Sequence, residues 1–126
     1  MRADDPLHTT TGLRDGTAVV SLEGELDVTT VEPVVNAVAW ALRDRPQQLD
    51  LDVTDLDFCD AAGLRALLRA RRMANVHHVD FRLVGAGPKL CHLLTVLRAT
   101  FLLPSSLPVS QVPGRNTVEG IVPMSS

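Results

Sequence analysis

The densest run of side chains able to do chemistry in this 126-residue chain lies in one short stretch, from Asp50 to Arg65. Asp50, Asp52, Asp55, Asp57 and Asp60 form an acidic run, and Cys59 lies inside it. Carboxylates so spaced could hold a divalent cation, but solvated strand and loop carboxylates are the better account. Asp60 stands directly before Ala61-Ala62-Gly63 and Leu64-Arg65. A carboxylate there can accept a backbone N–H and cap a helix. The tip of such a helix presents unpaired N–H groups to whatever approaches it. The two readings are a docking surface for a protein partner and a plain strand-to-helix connection.

Other candidates are weaker. Cys59 and Cys91 form a candidate redox pair 32 residues apart, against two unpaired thiols in a reducing compartment. A zinc site from Cys91, His92 and His77 or His78 has no supporting spacing. Arg65, Arg69, Arg71 and Arg72 give one helix a basic side, either solvated or facing an acidic partner. No nucleophile–base pair can be assembled, so the chain does not read as an enzyme.

The elements that position these residues follow from periodicity. Leu49, Leu51 and Val53 alternate with aspartates, the pattern of a half-buried strand. A polar turn is expected next, with Leu56 and Phe58 returning toward the core. From Leu64 a helical period begins, with Leu64, Leu67 and Leu68 on one face, ending near Asn75. Upstream, Leu7–Leu13 is weakly strand-like, Arg14-Asp15-Gly16 reads as a hairpin turn, and Thr17–Leu22 is a stronger strand that Gly24 should end. Glu25-Leu26-Asp27 reads as a polar bridge, with Thr29 or Thr30 as helix cap. Val31, Val34, Val35, Val38 and Leu42 form an apolar helical stripe that Pro46 stops, and Pro33 fits its first turn. Downstream, Val79–Val84 is a strand and Pro88 opens a helix with Leu90, Leu93, Leu94 and Leu97 toward the core.

Alternating strands and helices predict an α/β domain: a small mixed sheet of about four or five strands, right-handed crossovers and helices on one face. The organisation expected is a flexible segment 1–5, a domain over 6–104 and a proline-rich, partly ordered tail over 105–126. Apolar residues make up 45% of the chain, enough for a core, while aromatics are only 3%, so that core must be aliphatic. A net charge of −3 gives no reason to expect nucleic acid. No apolar run approaches the roughly 20 residues of a membrane span, and no secretion signal opens the chain. The expectation is a cytoplasmic protein, monomeric or weakly dimeric, with no cofactor and no metal.

The strand, Phe58-Cys59-Asp60, two small residues, Gly63-Leu64 and a helix together resemble the signature of STAS domains, best known as bacterial anti-sigma-factor antagonists. Gly24-Glu25-Leu26-Asp27 resembles a second family segment, expected near the helix tip, with Asp27 as the foremost contact against a solvated turn. The resemblance implies an ATPase-fold anti-sigma serine kinase as partner, contacted by Glu25, Asp27, Asp60, Ala61, Ala62, Gly63, Leu64 and Arg65. It also implies a serine phosphoacceptor where this chain has Ala61, so the usual switch is missing; the nearest hydroxyl in sequence is Thr54. Two rivals are a scaffolding STAS subunit of a signalling or lipid-transport complex and a thiol-regulated antagonist using Cys59 and Cys91. Receivers share the size and the α/β alternation, but no acidic pair ends an early strand, and the only lysine, Lys89, lies in the last helix.

Overall fold

The structure, a computed structural model, describes residues 6–103. The expectations for 1–5 and for the tail from 105 lie outside the described residues. Four strands form one sheet in the order β1 (Leu7–Arg14), β2 (Thr17–Leu26), β3 (Gln48–Cys59) and β4 (Asp80–Val84). The β1–β2 pair is antiparallel, while β2–β3 and β3–β4 are parallel. Helices α1 (Val31–Leu42) and α2 (Ala61–Val76) make the two crossovers, and α3 (Pro88–Val96) follows β4. A mixed four-stranded sheet with helices on one face is therefore observed as expected.

The β1–β2 hairpin turns at Asp15 and Gly16, both at positive φ. Two such residues make a turn whose twist matches the flanking strands. Alternation then sends Ala18, Val20 and Leu22 to the helix side, beside Leu49, Leu51 and Val53 of β3. These meet Val34, Val38 and Leu42 of α1, Leu64 and Leu67 of α2, and Leu90 and Leu94 of α3. Each fully buried leucine contributes roughly 2 kcal/mol by leaving water.

Both long strands run further than their sequence pattern predicts. Gly24 does not end β2: at φ +118° it continues the strand past the Pro6 carbonyl, and the Glu25 N–H bonds that carbonyl at 2.8 Å. The expected bridge Glu25-Leu26 is thus strand. The expected polar turn after Val53 is also strand, because β3 runs on beside the extended β2. Two register shifts give β3 two more residues than β2 over the paired length. Each such bulge swaps the faces of the residues that follow. The first turns Leu56 toward the core; the second turns Phe58, paired with Glu25, out again, leaving it 49% exposed. Phe58 therefore does not return to the core as expected. Leu97 corrects similarly: it follows the last turn of α3 and is exposed, whereas Leu90 and Leu94 are buried.

Candidate functional site

The site forms where the carboxyl ends of β2 and β3 lie side by side. Leu26 pairs with Cys59, and the Asp60 N–H donates to the Leu26 carbonyl at 3.3 Å. The Gly24–Asp27 segment and the Asp60 loop, far apart in sequence, are thereby joined by backbone. Asp60 caps α2 as its residue type predicts: Oδ1 accepts the Gly63 N–H at 2.8 Å. Helix α2 begins at Ala61 rather than at Leu64, where the apolar period starts.

Ala61 is exposed at the helix tip, Ala62 is half-buried beside it, and Arg65 is exposed one turn on. Gly63 and Leu64 are buried beneath them. Glu25 is exposed and Asp27 half-buried. Among the eight residues the resemblance implies, six thus reach the surface and two support it.

Asp27, not Thr29 or Thr30, opens the short 3-10 turn Val28–Thr30 that leads into α1. Its Oδ1 accepts from the Thr29 hydroxyl at 2.6 Å and from the Thr29 N–H at 2.9 Å. In return the Asp27 N–H donates to the Thr30 hydroxyl at 2.9 Å. The Thr29 hydroxyl, then the Thr29 N–H, hold the Asp27 carboxyl below its ordinary pKa. Asp27 is therefore ionised and fixed at neutral pH. Thr30 precedes α1 but makes no side-chain cap to it.

Two exposed apolar side chains lie near the tip: Val28, 72% exposed, which the sequence pattern does not single out, and Phe58, which that pattern turns inward. The signal for Phe58 existed only in the register of β3 against β2.

The remaining candidates separate. Asp50 accepts from Gln48 at 2.6 Å and pairs with Arg82 at 3.2 Å. Asp52 accepts from the Thr54 N–H and hydroxyl. Among the described residues no group of three or more His, Cys, Asp or Glu is placed to hold a metal ion. Cys59 and Cys91 are both free and half-buried, with Sγ atoms directed at different carbonyls, those of Asp60 and Ala86. Burial, and then the neighbouring Asp60 charge, push the Cys59 thiol up to about 11. Along α2, Arg69 pairs with Glu32 at 3.9 Å, and Arg71 lies over the Phe101 ring. No helix among the described residues is long and apolar enough to cross a membrane.

A mixed sheet layered on one side by helices, with a capped helix tip beside a fixed acidic strand end, defines a small α/β domain whose exposed tip joins two segments distant in sequence. The family model described as "Mlab, STAS domain" matches residues 9–104, and the chain belongs to the STAS domain family. It is 30% identical over 110 residues to the anti-sigma-F factor antagonist RsfB of Mycobacterium tuberculosis, covering 85% of this chain and 88% of the relative. Among solved structures it is similar to an anti-sigma factor antagonist from Mycobacterium paratuberculosis, with TM-score 0.70 and 25% identity over 82% of this chain and 88% of the other. The Bacillus cell fate determinant SpoIIAA in its phosphorylated form superposes with TM-score 0.60 at 18% identity, covering 77% and 89%, a likeness of fold alone.

Proposed function

We propose that this chain is an anti-sigma-factor antagonist that binds an ATPase-fold anti-sigma factor and so releases a sigma factor. The proposed contact surface is Ala61, Ala62 and Arg65 at the tip of α2, Asp60 at its cap, and Glu25 and Asp27 beside them. The observation that carries this reading is the backbone pairing of Leu26 with Cys59 and Asp60, which unites the two segments around an exposed helix tip. The similarity to RsfB over most of both chains supports it. Asp27 meets the partner already ionised and oriented, so little ordering is needed on binding.

At position 61 a methyl group stands where related antagonists would be expected to carry a phosphoacceptor. Without a hydroxyl, a kinase partner has nothing to esterify there, and the antagonist acts without that off-switch. Thiol control is disfavoured by Cys59, because the thiolate is the reactive form and a thiol near 11 is almost wholly protonated at neutral pH.

The test is calorimetric titration of purified anti-sigma factors from the same genome with the full chain. One should bind, and Ala61→Arg should weaken it about 100-fold, as expected when a large side chain enters the centre of an interface. Mass spectrometry after incubation with ATP and Mg2+ should show no added phosphate. Absence of binding by every candidate, or indifference to Ala61→Arg, would overturn the reading and favour the scaffolding role.

A further inference from the structure

The site leaves one edge of the molecule unexplained. Among the described residues β1 pairs only with β2, so its other side is a free strand edge. Natural sheets protect such edges with charge, proline or a covering element. Here the strand reads Leu-His-Thr-Thr-Thr-Gly-Leu-Arg, with no acidic residue, lysine or proline in its eight positions.

The backbone groups that face outward can be assigned. In a two-residue hairpin the pair flanking the turn, Arg14 and Thr17, exchanges hydrogen bonds, and bonded pairs then alternate along the strand. Arg14, Gly12, Thr10 and His8 thus spend their N–H and C=O groups on β2. The Glu25-to-Pro6 bond at the far end fits the same alternation. Leu7, Thr9, Thr11 and Leu13 aim theirs at the free edge.

Alongside that edge lie a projection and a recess. Trp40, the only tryptophan, is 57% exposed on the last turn of α1, with the Arg43 guanidinium 3.7 Å from its ring centre. Leu13 beside it is 63% exposed. At the other end of β1, a groove of about 390 Å³ opens between Leu7–Thr9, Thr29–Thr30 and Pro33.

We propose that β1 pairs antiparallel with β1 of a second copy, forming a two-fold dimer with a continuous eight-stranded sheet. The self-complementarity of the edge argues for this occupant. A two-fold axis through Thr10 runs the Leu13 end of each strand along the Leu7 end of its mate. Every outward N–H and C=O then meets a counterpart, and Thr9 faces Thr11 across the join. The same rotation carries each Trp40 toward the groove at Leu7 and Pro33 of the other copy. The contact is isologous and therefore closes at two copies. Strand β2 separates the joined edge from β3 and the tip of α2, so each copy keeps its tip exposed.

The experiment uses the full chain in reductant. Sedimentation across a concentration series should show a reversible dimer by about 100 μM, and the emission of the single tryptophan should shift to shorter wavelength over the same range. Trp40→Glu alters an exposed position, so circular dichroism should be unchanged while dimerisation weakens at least about 10-fold. Thr10→Cys places two thiols on the axis at a non-hydrogen-bonded pair, where Cα atoms approach to about 4.5 Å. Oxidation should yield a covalent dimer that the parent chain, with Cys59 and Cys91 alone, does not form. A chain that stays monomeric throughout, or a dimer insensitive to Trp40→Glu, would overturn the proposal. So would a dimer that Thr10→Cys fails to trap.

Discussion

Gly63 lies hard against the carbonyl oxygen of Leu26: a Cβ on the glycine would overlap that oxygen and crowd the Leu26 side chain. The glycine is helical, so its backbone conformation does not demand the residue; the closeness of β2 does. That oxygen also accepts the Asp60 N–H, so the absence of one side chain lets the helix tip close onto the strand end.

Gly63→Ala is therefore expected to destabilise the fold, although alanine is the better helix former. Overpacking should cost about 2–3 kcal/mol, against a helix-propensity gain of about 1 kcal/mol at most. Urea denaturation should show a lower midpoint at unchanged slope. A variant as stable as the parent would mean that α2 can move off Leu26 freely.

Asp60 acts through its carboxylate oxygen, not through its charge alone. Asp60→Ala removes the acceptor for the Gly63 N–H and should cost about 1 kcal/mol. Asp60→Asn keeps an acceptor oxygen and should lose only a few tenths. If the two variants lose equal stability in the same urea series, the cap is not what holds the tip.

How much of this could be read from the residues alone depends on period. The stripe Val34, Val38 and Leu42 repeats with the helical turn, and an aspartate before two alanines and a glycine signals its own role; both are where expected. A bulge leaves no such trace. Nothing in Val53 to Cys59 marks the two inserted residues, because an extra position in a two-residue alternation resembles a turn. Hence β3 reads as ending early, and Phe58 reads as inward. Asp27 reads from the sequence as a surface contact, yet its geometry also makes it the cap of the turn before α1, a function that two adjacent threonines obscure. The role of Gly63 required knowing what lies opposite it.

The Cys59 thiol should resist alkylation. Raised from 9.0 to about 11, it carries about 100-fold less thiolate than an ordinary cysteine near pH 8, since each unit is a factor of ten. Its reaction with iodoacetamide should keep accelerating as pH rises toward 11. Folding linkage has the matching sign: the native state holds this proton more tightly than the unfolded chain, so stability falls as pH rises between 9 and 11. Cys59→Ala should flatten that fall. Peptide mapping of the alkylated protein reads the first effect, and urea midpoints at several pH values read the second. Rapid modification of Cys59 at pH 7 would contradict the burial that raises it and reopen thiol control.

Ala61→Ser introduces one hydroxyl oxygen at an exposed position in the first turn of α2, next to the Asp60 cap. Stability should change by less than about 0.5 kcal/mol, because the site is open and serine suits a helix N-terminus. If the partner is a kinase that still grips this tip, the variant should gain a single phosphate in the presence of ATP and Mg2+, while the parent gains none. The added charge of about −1.5 to −2 would stand beside Asp60 and near Asp27, so the phosphorylated variant should bind the same partner more weakly than before reaction. Ala62→Ser, half-buried, serves as the control and should stay unmodified. Phosphate on Ala61→Ser with loss of binding would show that a single missing hydroxyl separates this protein from a switchable antagonist. Binding without phosphate uptake would instead mean that the partner holds the tip in a geometry its catalytic centre cannot reach.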